Sequence, residues 1–214
     1  METVNSQSVE KLFSQLRRNN FLPYFVEDLK SAKDLFFNEL LPEINPKSIS
    51  YADSITLKKT QILEDVRDLS NIRFIDTFDK TLSWEEVIER RRQALLVDLF
   101  LTGTNAITED GELVNLDMIG NRINGIVFGP RNVVLTIGVN KIVKDLVEAK
   151  RRVKEISAIQ NAMRHESFNL PCTKKGYCLD CSNEKRICNV WSIIERCYPK
   201  NRIRIIFINK ELGL

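Results

Sequence analysis

Cys172, Cys178, Cys181 and Cys188 are spaced C-x5-C-x2-C-x6-C, the densest set of soft ligands in the chain. Four thiolates in so short a stretch can close round one tetrahedral zinc or carry an iron–sulfur cluster. The spacing leaves both open, along with a third reading as reduced thiols in a loop. Lys174, Lys175, Lys185 and Arg186 lie between them and would offset thiolate charge. A second set is Gly103, Thr104 and Asn105 with Asn121 and Arg122. Backbone N–H groups at a glycine turn and at a helix start suit a phosphate or carboxylate, and Arg122 could clamp it through two nitrogens. Alternatively the glycines only shape turns and Arg122 faces solvent. Asp110 and Asp117 are carboxylates nearby that either take part or serve turns. Ser54 and Thr56 offer hydroxyls, though Ser54 is equally placed to cap a helix. Lys141 could pair with an anionic ligand or mark a helix start. His165 is the sole histidine, so no Ser-His-Asp triad can form without it. It reads as an acid–base group or ligand, or as an ordinary surface histidine.

The elements that would position these residues alternate. Val9, Leu12, Phe13 and Leu16 follow helical spacing, and residues 21–26 read as a strand. Leu29, Ala32, Phe36 and Leu40 form a helix that Leu41-Pro42 is expected to stop. Residues 48–51 and 72–75 read as strands, with a polar helix over 54–68 between them. Ser83-Trp84-Glu85-Glu86 is a capping box that opens a helix running through Arg91 and Ala94. Six of the eight glycines fall within residues 101–141. There an apolar run, 95–101, enters a polar turn at 102–105 whose Gly103 would tolerate positive φ. A Glu-Asp-Gly turn follows at 109–111, then a helix from Gly120, then a β-branched strand over 133–137 closed by Gly138. Ile142, Leu146, Ala149, Val153 and Ile156 mark a long helix, with Lys144, Glu148, Arg151 and Arg152 on its opposite face. Residues 190–194 and 204–208 close the sheet, and Cys197 reads as a core thiol. The fold class expected is α/β, a mostly parallel sheet with helices on both faces. One domain spans residues 1–214, with a cysteine-rich loop at 166–189.

Composition narrows the function. At 214 residues the chain can bury one sizeable core, and 43% hydrophobic with 29% charged residues is ordinary for a globular protein. A net charge of +3 without a basic, aromatic-bearing stripe argues against nucleic acid as partner. No apolar run nears the ~20 residues needed to span a bilayer, so no membrane is expected. The opening METVNSQSVEKLF has no apolar leader core, which points to a cytoplasmic protein. An odd, clustered set of five cysteines does not suit a disulfide framework. There is no GxGxxG and no P-loop, hence no nucleotide cofactor motif and no hydride chemistry by this chain alone.

The block TGTNAITEDGELVN, followed by GNR, FGP and GVNKIV, closely resembles the lactate-utilisation (LUD-domain) family. The tail PCTKKGYCLDC with RICN, and the ending INKELG, resemble its single-domain, cysteine-bearing branch. The match covers residues 95–213 well and the first ninety loosely. This resemblance implies the superfold shared by ribose-5-phosphate isomerase, glucosamine-6-phosphate deaminase and the coenzyme A transferases, with ligands over strand ends. In the isomerases an acidic residue follows the glycine of the turn, whereas here Asn105 stands there. An amide cannot take up a proton as a carboxylate base does, which argues against isomerase chemistry and leaves ligand binding. In SYADSITL, Ser54, Thr56 and Leu57 match the family's loop, but Ser50, Ala52 and Asp53 replace expected glycines and would crowd and repel an anion. The resemblance implies a small anionic organic acid, phosphosugar or acyl ligand and iron–sulfur or flavin protein partners. Two readings follow: an accessory subunit or small enzyme of lactate or organic-acid oxidation, or a non-catalytic binding domain for a phosphosugar or coenzyme A. A homo-oligomer fits either.

Overall fold

The computed structural model describes residues 6–214; the first five residues, part of the stretch read for a leader, lie outside them. Six strands form one parallel sheet: β1 (Leu22–Val26), β2 (Ser48–Tyr51), β3 (Arg73–Ile75), β4 (Leu99–Thr102), β7 (Asn132–Gly138) and β10 (Ile203–Ile208). Their order across the sheet is β1-β10-β7-β4-β2-β3, with every pair parallel. Strands buried on both faces read as continuous apolar runs, and β10 (IRIIFI) is buried at all six positions. Alternate residues serve opposite faces. Ile203, Ile205 and Phe207 pack with Leu12, Phe13 and Leu16 of the Ser6–Arg18 helix, while Ile206 and Ile208 pack with Ala32, Phe36 and Leu40 on the other side. The expected α/β class, a parallel sheet covered by helices on both faces, is the one observed.

A second, four-stranded sheet was not expected. It consists of β5 (Ala106–Thr108), β6 (Leu113–Asp117), β8 (Ile142–Val143) and β9 (Val190–Ile194), in the order β8-β5-β6-β9. The β5–β6 hairpin turns at Gly111, whose φ of +84° suits glycine. Residues 190–194 therefore extend this sheet beside β6 and do not close the main one. Residues 203–208 lie between β1 and β7, inside the main sheet. Cys197 is buried, as expected, but sits in the β9–β10 connection.

Other differences have local causes. Pro42 does not end its helix, because the chain passes through a π-helical turn (Phe36–Leu40) in which the Leu41 N–H bonds to the Phe36 carbonyl. The wider turn accommodates the proline, and the helix stops at Asn45 in the left-handed conformation. Residues 54–68 form two short helices, Ile55–Lys59 and Ile62–Arg67, whose Leu57, Ile62, Leu63 and Val66 are buried. The long helix starts at Leu146 behind an Asp145 cap, since Ile142–Val143 pair with β5. It contains a second π-helical turn (Val153–Ser157) before Ala158–Met163. The capping box at Ser83 and Glu86 forms as the sequence requires. Among the described residues no helix is long and apolar enough to cross a membrane.

Candidate functional site

Parallel strands in one sheet direct all their carboxyl ends to one side, and ligands in open α/β sheets bind there. Four such ends converge here. Residues 52–54 leave β2, residues 103–105 leave β4, Val139 to Lys141 leave β7, and residues 209–214 leave β10. Between them lies a solvent-open crevice of about 230 Å³, walled on the other side by β6 and the long helix. Ser54, Gly103, Thr104, Asn105, Asn121, Arg122 and Lys141 all line it. Of the eight ligand-binding residues expected, only Thr56 does not line it. Thr56 is fully buried behind it, with an unpaired hydroxyl.

Most of these residues hold one another. The Ser54 hydroxyl accepts the Leu57 N–H (3.2 Å) and caps its helix. A Cβ at Gly103 would lie 2.7 Å from Ser54 Oγ, so glycine is needed there for close approach and not, as expected, for positive φ. The Thr104 hydroxyl donates to the Ala106 and Val114 carbonyls (3.1 and 3.2 Å). Arg122 uses all five N–H groups within the protein. It donates to Asp117 Oδ1, Asn115 Oδ1, Asn105 Oδ1 and the carbonyls of Gly103 and Leu116, at 2.6–3.2 Å. In this arrangement it cannot be a free anion clamp; it locks β6 onto the β4 turn. Nor is the Asn121–Val127 helix start open to an anion, because Asp117 Oδ2 accepts the Ile123 N–H (2.9 Å). Asp117 is thus the carboxylate built into the site, while Asp110 is exposed on the hairpin turn. Asn105 Oδ1 also accepts the Leu116 N–H (3.0 Å).

Lys141 differs from its neighbours. It is buried, its ammonium makes a single hydrogen bond, to the Thr104 carbonyl (3.1 Å), and it has no ion pair among the described residues. Burial, reinforced by the Arg152 and Arg122 guanidiniums, pushes its pKa down to about 7. Arg152, expected on the solvent face, is buried behind the residues that line the crevice and does not line it itself. It donates to the carbonyls of Asn140, Asn105 and Leu214 and to the Ser157 hydroxyl at 2.8–3.3 Å, and to no Asp or Glu side chain. Ser157 lies five residues on, at the end of the π-helical turn, a feature often found at functional sites. Its i+3 spacing from buried Ala149 was the signal in the sequence that Arg152 faces inward.

At the mouth, Asp53 does not repel an anion unopposed. Arg164 (2.7 Å) and Lys58 (2.6 Å) neutralise it and, against its burial, hold its carboxyl below the usual range. Arg91 stacks on Phe78 and Trp84 at 5.2 and 5.4 Å and adds a further cation that sequence reasoning did not single out. His165 is exposed on the rim and stacks on Phe168 (5.2 Å).

Cys172, Cys178, Cys181 and Cys188 line one smaller cavity of about 20 Å³, and Cys188 also borders the crevice. Arg186 pins the loop by donating to the Cys181 and Cys188 carbonyls (2.7 and 3.0 Å) and to Asp180 (2.9 Å), which also pairs with Lys154 (2.7 Å). Burial and the neighbouring thiols raise the Cys172 pKa. Among the described residues no three His, Cys, Asp or Glu side chains stand in a metal-holding arrangement.

A crystal structure of a DUF162 family protein from Deinococcus radiodurans superposes with a TM-score of 0.50 at 10% identity, covering 95% of this chain and 97% of that one. At this identity the likeness establishes the fold. No curated protein matches the chain. The LUD domain family model matches residues 9–208, from the first helix through the last strand of the parallel sheet, and the chain belongs to the LUD-domain family.

Proposed function

We propose that this protein binds a small carboxylate of the 2-hydroxy or 2-oxo acid class in the crevice and serves organic-acid oxidation as an accessory subunit or small enzyme. The observation that carries this reading is buried Lys141 on the crevice floor, which no acidic side chain matches, with the buried guanidinium of Arg152 behind it, also without an acidic side chain. A buried charge without a partner is costly, and an anionic ligand would supply the partner. The family's link to lactate utilisation supports the class of acid. Iron–sulfur or flavin proteins are the proposed partners, because the chain has no dinucleotide fingerprint of its own. The four-cysteine loop is proposed to take zinc or an iron–sulfur cluster as a clip beside the crevice, on the strength of its donor set.

Titration calorimetry with lactate, pyruvate, ribose 5-phosphate and coenzyme A tests this. Saturable binding of lactate or pyruvate, lost in K141M, is expected. Binding of the phosphosugar or coenzyme A alone would favour the non-catalytic binding domain, a reading consistent with the amide at Asn105 where a carboxylate base would be required.

A further inference from the structure

Lysine nucleophiles need three things: an amine that is neutral at working pH, a ligand cavity within reach, and no carboxylate to hold the proton on. Lys141 has all three. Its side chain lines the crevice, its single hydrogen-bond partner is a backbone carbonyl, and two guanidiniums, Arg122 and Arg152, flank it. The acidic side chain in this part of the floor, Asp117, is held by Arg122, and the Leu214 oxygen that lies there accepts from Arg152. Asp53 and His165 stand farther out, Asp53 already paired with Lys58 and Arg164. A second unused group packs against the same glycine as the amine. A Cβ built on Gly213 would meet Thr56 Oγ1 at 2.5 Å and Lys141 Nζ at 3.1 Å, so Gly213 fits tightly against both hydroxyl and amine. That hydroxyl is fully buried and lacks a hydrogen-bond partner.

We infer that Lys141 captures the carbonyl carbon of a 2-oxo acid as an imine, in a crevice whose floor the guanidiniums of Arg122 and buried Arg152 make positive. This rests on the carboxylate-binding reading above and adds a covalent step to it. The amine nitrogen adds to the carbonyl carbon and a C=N bond replaces the C=O bond. The oxygen leaves as water, carrying both amine protons, and no oxidant or reductant is needed. The depressed ammonium pKa, about 7, leaves a large share of the amine free to attack near neutrality, which an ordinary surface lysine cannot match.

The test is reductive trapping. The intact protein is incubated with pyruvate and borohydride, then mapped by peptide mass spectrometry. One dominant adduct on Lys141 is expected, suppressed at least tenfold by excess lactate, which shares the carboxylate but has no carbonyl. K141R should abolish the adduct while keeping a melting temperature close to wild type and residual lactate binding. T56V, which removes the adjacent hydroxyl and keeps the shape, should slow trapping. Adducts spread evenly over surface lysines, or none at Lys141, would overturn the imine. If lactate still binds in that case, the carboxylate site stands without the covalent step; if lactate does not bind, both fall.

Discussion

At the scale of single residues, the crevice contrasts two kinds of cation. Arg122 is saturated by protein acceptors and holds Asp117, so it belongs to the framework. Removing it leaves a buried carboxylate unpaired, and R122M should lose about 3–5 kcal/mol of stability in denaturant titrations. Lys141 behaves in the opposite sense. Folding lowers its pKa from 10.5 to about 7, so between those values the unfolded chain binds the additional proton. Stability due to this group therefore rises with pH across that window and is at its lowest near and below pH 7. K141M should flatten the profile and stabilise the protein near neutrality by a few kcal/mol, each pKa unit being worth about 1.4 kcal/mol. Parallel profiles for the two proteins would contradict this. The sequence placed Gly103, Asn105, Arg122 and Lys141 near one another, because turn and strand signals surround them. Which of them are free could not be read, since that depends on Asn115 and Asp117 arriving from β6, an element whose pairing is set by distant chain.

At the scale of elements, local signals were read well where they are chemically distinct. The Ser83 capping box is one case, and S83A should cost about 1 kcal/mol. Strand β7 is another, marked by a β-branched run closed by Gly138. The β5–β6 hairpin escaped notice because β5 is only three residues long and β6 mixes polar with apolar positions. Asn115 and Asp117 are buried there with Arg122 donating to both, and the Ile123 N–H donates to Asp117 as well. Gly125 shows how tightly the Asn121–Val127 helix lies on the main sheet, since a Cβ there would come within 2.4 Å of the Phe100 ring. G125A should therefore destabilise by about 1–3 kcal/mol through overpacking. At about 2–4 °C per kcal/mol for a protein of this size, calorimetry will resolve the effect.

At the scale of the molecule, the small sheet covers the carboxyl end of the large one, and the cysteine loop is the strap between β9 and the long helix. A metal held there would tie the crevice wall at Cys188 to Cys172 in the short Pro171–Lys175 helix. Under the proposed clip, zinc added to reduced, chelator-stripped protein raises the melting temperature, and C172S with C181S removes that response. A melting temperature indifferent to zinc, with four freely titrating thiols, would count against it.

The π-helical turn at Val153–Ser157 has a further consequence. The wider turn takes up one residue more than ordinary winding would, so deleting that residue would restore α-helical winding and leave the helix beyond it facing nearly as before. Arg164 and His165 would stay at the crevice mouth and the Arg164–Asp53 pair would be kept. The change would fall on the bond that spans the turn, from Arg152 to the Ser157 hydroxyl. Chains sharing this core but lacking the extra residue would thus present the same rim over a different wall.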